Sequence, residues 1–147
     1  MPNIVTRIES KSDVQCFLAN LKYALDHNAK VTFQENRQVD LVRDIKHTNR
    51  FTVVDLFPNE DPVSAIKREV RKLTVEEYMK TVKDLRFKKR SEMREFGKVY
   101  NGDKDVYIKI RVDLLSECGD HSVFIMSFHY ADTPFSDSMF PYKEREV

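Results

Sequence analysis

Residues able to handle a phosphate recur at alternate positions in one short run of the chain. Asp105–Asp132 reads DVYIKIRVDLLSECGDHSVFIMSFHYAD. Within it Tyr107, Lys109 and Arg111 stand every second residue, and Ser127, His129 and Tyr130 close the second apolar stretch. Alternation places Tyr107, Lys109 and Arg111 on one face of a strand, and Ser127 and His129 on one face of another. Histidine takes or gives a proton near neutral pH. Tyrosine orients or donates, and Lys and Arg bring positive charge without a metal. Phosphate chemistry without a metal uses such parts: a base to take a proton, cations to stabilise the charge that builds on the phosphate, and an acid to protonate the leaving oxygen. The same residues also fit a solvated sheet face. The two readings separate on whether the two faces coincide, which depends on strand register.

The charge distribution is uneven. The 147 residues carry a formal net charge of +1, but residues 67–111 hold 15 Lys/Arg against 8 Asp/Glu, and residues 112–147 hold 2 against 7. The positive middle contains KDLRFKKRSEMR, whose Lys88, Lys89, Arg90 and Arg94 suit a phosphate backbone. A solvated helix face beside an acidic tail is the alternative. The length suits one domain with a proper core. No apolar run approaches the roughly 20 residues of a membrane span, and MPNIVTRIESKSD is too polar for a signal peptide. Cys16 and Cys118 lie far apart without metal spacing, so two free thiols in a reducing compartment, no metal and no cofactor are expected.

The elements that must position these residues follow from period and punctuation. SKSDVQCFLANLKYALDHNAK predicts a helix capped by Ser12 or Asp13, with Val14, Phe17, Leu18, Leu21 and Leu25 as its apolar stripe. KVTF predicts a short strand, RQVDLVRDIKHT a short helix through Val39, Val42 and Ile45, and RFTVVDLF a strand by its β-branched and aromatic content. EDPVSAIKREVRKL predicts a helix with Asp61 as N-cap, Pro62 at its first position, and Val63, Ile66, Val70 and Leu73 buried. Thr74 and Glu77 form a capping box that opens a further helix over TVEEYMKTVKDLRF, with Lys80 and Lys83 on its exterior. EFGKVY, VYIKIRVDLL and SVFIMSFHYA predict three antiparallel strands, the first two joined by a type I′ turn at Asn101-Gly102 and the last two by SECGD. His47 and His121 sit in polar, turn-like sequence and read as surface residues.

LTVEEYMKTV, EFGKVY, DVYIKIRV and VFIMSFHYAD, in that order, resemble the MqsR-like bacterial toxins of the wider RelE/ParE-like group. The resemblance covers roughly residues 73–130, and the first half agrees loosely as helix, strand and helix. It implies an α+β fold, RelE/MqsR-like: an antiparallel sheet with a C-terminal three-stranded meander, packed with N-terminal helices. One domain would span residues 1–132, with an extended tail over 133–147. It further implies a cytoplasmic enzyme that cuts mRNA without a metal, held inactive by a cognate antitoxin protein. Residue by residue, the family's helix lysine falls on Lys80, its central-strand tyrosine on Tyr107, and the basic residue after its Ser-Phe pair on His129. These three are the expected catalytic set, with Lys88, Lys89, Arg90, Arg94, Lys109 and Arg111 expected on phosphates.

The chain departs from the family at Gly97, where relatives carry a polar side chain after the strand aromatic. The segment between Lys80 and Phe96 is also longer and more basic, and the tail runs beyond the family's usual end. Gly97 and the acidic tail suit a second reading, a non-catalytic member of the same fold that binds RNA or a protein. A DNA-binding antitoxin would want a helix-turn-helix or a dimer arm, and the sequence has neither.

Overall fold

A computed structural model describes residues 3–36, 47–114 and 121–144. The fold is α+β: a six-stranded mixed sheet with three helices among the described residues. The strands are β1 (Ile4–Arg7), β2 (Lys30–Phe33), β3 (Tyr78–Asp84), β4 (Met93–Tyr100), β5 (Lys104–Leu114) and β6 (His121–Tyr130). They lie in the order β1-β3-β4-β5-β6-β2. β2 runs parallel to β6 and every other pairing is antiparallel, so the sheet is not antiparallel throughout.

The helices α1 (Lys11–Asp26), α2 (Asn49–Leu56) and α3 (Pro62–Arg71) follow from local signals to different degrees. In α1 the spacing buries Val14, Phe17, Leu18 and Leu21, but Ser10 is the cap, its hydroxyl accepting from Asp13 N at 3.1 Å. Asp61 caps α3 through Ser64 N at 3.0 Å with Pro62 in the first turn. Its buried stripe runs through Ala65, Ile66, Glu69 and Val70, while Val63 faces out. The apolar side of α1 and α3 meets Phe96, Ile108, Ile110, Val123, Ile125 and Phe128, and this layer is the core.

Two elements differ in type from the sequence expectation. RFTVVDLF, expected as a strand, belongs to the helix α2, capped by the Thr48 hydroxyl accepting from Phe51 N at 3.3 Å. Its β-branched content reflects burial of Thr52 and Val53 against β6, while Val54 is 50% exposed; that spacing is helical rather than alternating. TVEEYMKTVKDLRF, expected as a helix, forms its capping box, with Thr74 N donating to Glu77 at 3.0 Å. The box closes one 3₁₀ turn, Val75–Glu77, and Tyr78 then enters β3 between β1 and β4. Pairing on both sides outweighs the weak local helix preference of Tyr, Thr and Val. β1, within the segment read as a polar N-terminus, supplies one of those partners.

The turn at Asn101-Gly102 has φ values of 54° and 80°, the left-handed pair that a type I′ hairpin needs. The expected helix stripe Val39, Val42 and Ile45, the linker SECGD and Cys118 lie outside the described residues. Through Glu144 the expected extended tail is folded onto the sheet. It makes a 3₁₀ turn at Asp137–Met139, buries Phe140, and stacks Tyr142 on Tyr78 with centroids 6.1 Å apart.

Candidate active site

Register settles whether the two polar faces coincide. Tyr107 pairs opposite His129 and Lys109 opposite Ser127, so the polar residues of β5 and β6 share one face, away from the helices. Continuing across β4, Gly97 lies opposite Tyr107 and Glu95 opposite Lys109; across β3, Lys80 lies opposite Glu95. The result is two adjacent rows. One reads Gly97–Tyr107–His129 and the other Lys80–Glu95–Lys109–Ser127. Neighbours within a row stand about 5 Å apart, and the rows about 7 Å apart.

Strict alternation would not build this face. Tyr78 and Lys80 are two residues apart, yet Tyr78 is buried in the core and Lys80 is on the opposite side. An extra residue in β3, Met79, shifts the register between them and reverses the alternation. The same happens in β6. Ile125 is core and Ser127 is not, because Lys109 pairs with Ser127 and Ile110 with Ile125, leaving Met126 as the extra residue. The β3 bulge turns Lys80 into this face, and the β6 bulge turns both Ser127 and His129 into it.

The second bulge is held by α2. β2 ends at Phe33, opposite Ile125, and the edge of β6 beyond it is satisfied by side chains. The Asn49 amide donates to Met126 O at 2.9 Å and to Gln34 O at 2.8 Å, and its carbonyl accepts from Phe128 N at 3.0 Å. Thr52 accepts from Tyr130 N at 2.9 Å. Asn49 and Thr52 thus do the work of a missing strand, which explains two buried polar residues in an otherwise apolar helix face.

These residues line a groove of about 410 Å³ whose walls include Lys80, Glu95, Tyr107, Lys109, Ser127 and His129. His129 is 5% exposed, and its ring lies 5.3 Å from that of Tyr107. Its Nδ1 is 2.9 Å from Tyr130 O. A carbonyl only accepts, so Nδ1 carries the proton, and in the neutral ring Nε2 holds the lone pair. His47 Nδ1 donates to the same carbonyl at 3.1 Å. His47, expected at the surface, is therefore half-buried behind the site. His121, also expected there, is 6% exposed against Tyr23 at the far end of β6. The Tyr130 phenol donates to Asp55; burial first, and then this carboxylate, push its pKa above the ordinary tyrosine value.

The residues expected on phosphates divide into three groups. Lys109 is in the groove. Arg111 is on the same face beyond it, its guanidinium 4.8 Å from the Phe124 ring centre and 3.5 Å from Asp113. Lys88, Lys89 and Arg90 are exposed in the β3–β4 loop. There Arg90 stacks on Phe87 at 4.0 Å, and Lys83 Nζ donates to the carbonyls of Lys88 and Arg90. Arg94 points to the helix side, paired with the buried Glu9 at 2.8 Å and lying over Phe17 at 4.8 Å, so the structure does not bring it to the groove.

Sequence reasoning missed Glu95, which is 6% exposed at the centre of its row. The signal was present: Glu95 and Gly97 alternate with the core residue Phe96. It also missed what fills the place above Gly97. A Cβ there would lie 2.8 Å from ring atoms of both Phe135 and Phe140. The tail packs its aromatic rings where a side chain would otherwise stand. Among the described residues no three His, Cys, Asp or Glu side chains group as a metal site, and no helix is long and apolar enough to cross a membrane. No family model matches the chain, and neither a curated protein nor a solved structure matches it.

Proposed function

We propose that the protein is a metal-independent endoribonuclease that cleaves mRNA by attack of a 2′-OH on the adjacent phosphate, with a RelE/MqsR-like fold, acting in the cytoplasm as the toxin of a toxin–antitoxin pair. The observation that carries the reading is the convergence of Lys80, Tyr107, Lys109 and His129 in one groove, brought there by two register shifts. His129, with its tautomer fixed by Tyr130 O, exchanges a proton through Nε2 with the 2′-OH or the departing 5′-oxygen. Lys80 and Lys109 stabilise the charge that builds on the phosphate, and the Tyr107 hydroxyl orients it. Glu95, opposite both lysines in the strand register, offsets their charge. The loop carrying Lys88, Lys89 and Arg90 extends the cationic surface along the RNA backbone.

A second reading, a non-catalytic RNA- or protein-binding protein, is favoured by the burial of His129 and by the tail rings seated on Gly97. Expression in a bacterial host separates the two. The ribonuclease reading expects growth arrest with fragmented mRNA, relieved by Lys80→Ala and by a co-expressed antitoxin. Full-level expression with normal growth and intact mRNA contradicts it.

A further inference from the structure

The groove has two unlike sides. One is the polar floor of the two rows; the other carries the apolar side chains of Met79 from the β3 bulge and of Phe135 and Met139 from the tail, with Ala131, Asp132 and Thr133 completing the lining. Phe135 is fixed in three ways. Its backbone N–H donates to Asp105 at 2.9 Å, its ring meets Phe140 edge-on at 5.4 Å and 79°, and its Cε2–Cζ edge rests on Gly97. The ring stands over Gly97, at the end of the row that carries Tyr107 and His129. A rigid aromatic wall next to cations suits one chemical class above others, a planar base joined to a phosphate. The volume of about 410 Å³ lies within the range that holds small ligands, about 300–1,000 Å³.

We infer that Phe135, carried on the C-terminal tail and seated on Gly97, is the stacking platform for the nucleobase whose 3′-phosphate lies on Lys80 and Lys109. The inference rests on the ribonuclease reading for its substrate and adds the subsite that holds the base. It gives Gly97 a reason: the backbone there must lack a Cβ for the ring to reach the sheet. Because every base has a π-face, this platform selects for a nucleotide without selecting among bases.

Calorimetric titration of the full chain with 3′-AMP, and separately with inorganic phosphate, tests it. Phe135→Leu keeps an apolar plug over Gly97 and removes the π-face; it should weaken 3′-AMP binding by on the order of 5- to 150-fold. Phosphate affinity should not change, and Phe135→Tyr should bind 3′-AMP as the parent does. Parent-like 3′-AMP affinity in Phe135→Leu overturns the inference. So does an equal loss for both probes, which would make the ring a tail anchor only, or no 3′-AMP binding by the parent. Cleavage of mixed-sequence RNA by the parent, run in parallel, separates the two claims. Phe135-dependent nucleotide binding without cleavage keeps the slot and removes the ribonuclease reading. Cleavage with Phe135-independent nucleotide binding removes the slot alone.

Discussion

Tyr107 and Glu95 test the site one side chain at a time. Tyr107→Phe removes only a hydroxyl, and the ring still packs beside His129. It should lower single-turnover cleavage by about 10-fold with an unchanged melting temperature, a smaller loss than the 10²–10⁴-fold typical of a lost acid–base group. An unchanged rate would take the phenol out of the chemistry. Glu95→Gln keeps shape and removes a buried charge between two lysines. If Glu95 serves to offset their charge, the variant should bind RNA more tightly and show a steeper salt dependence. Weaker binding at every salt concentration would mean that Glu95 organises the groove in another way. Gly97→Ala places a methyl 2.8 Å from the Phe135 and Phe140 rings. About 1–3 kcal/mol of overpacking should loosen the tail, read as faster proteolysis near residue 135.

At the scale of the element, α2 holds the edge of β6 that carries Ser127 and His129. Asn49→Ala breaks three hydrogen bonds, two at the Met126 bulge and one to Gln34 just past β2, and should cost about 2–4 kcal/mol, with broadened resonances for Ser127–His129. A loss below about 0.5 kcal/mol, as at ordinary surface positions, would deny α2 that role. The strands β4, β5 and β6 are legible in the sequence because alternation, the Asn101-Gly102 turn and β-branched content agree there. β3 is not, because a genuine capping box precedes it and because Met79 breaks its alternation. A segment with Tyr78 and Lys80 on opposite faces matches neither period cleanly. α2 is hidden for another reason: its short run of apolar and β-branched residues is too brief to show a helical period, so content alone suggests a strand, and Asn49 and Thr52 reveal their purpose only once β2 is known to stop short. For the site, Tyr107, Lys109 and His129 can be read from the strand pattern, whereas Lys80, expected on a helix, reaches the groove from the bulged strand β3. Glu95 escapes a search for cations alone, and Phe135 is masked by the lack of any period in the tail.

For the whole molecule, charge and stability make separate predictions. Glu69 joins α3 to the sheet. Burial by itself would raise its pKa, but hydrogen bonds from Arg68, Tyr100 and Lys72 bring it below the ordinary 4.5. A carboxyl depressed in the folded state adds stability above its unfolded pKa and loses it as pH falls through the folded value. The parent should therefore lose melting temperature on acidification below about pH 4.5, and Glu69→Gln should lose less; parallel curves would show that Glu69 contributes nothing to the acid limb. Replacing Lys88, Lys89 and Arg90 with alanine should weaken binding to all RNA sequences alike. It should also flatten the salt slope, by about 0.7 for each single-strand phosphate no longer neutralised. The claim that matters most is that the groove cleaves RNA through His129 without a metal. Its most direct test is single-turnover cleavage of mixed-sequence RNA, in excess chelator, by antitoxin-free protein and its His129→Ala variant. The products should end in a 2′,3′-cyclic phosphate and a 5′-hydroxyl, and the rate should show a limb near neutral pH. The variant should lose that limb and about 10²–10⁴-fold in rate while RNA affinity stays within about twofold. Parent activity that vanishes in chelator and returns with a divalent ion, or equal rates in parent and variant, would contradict it.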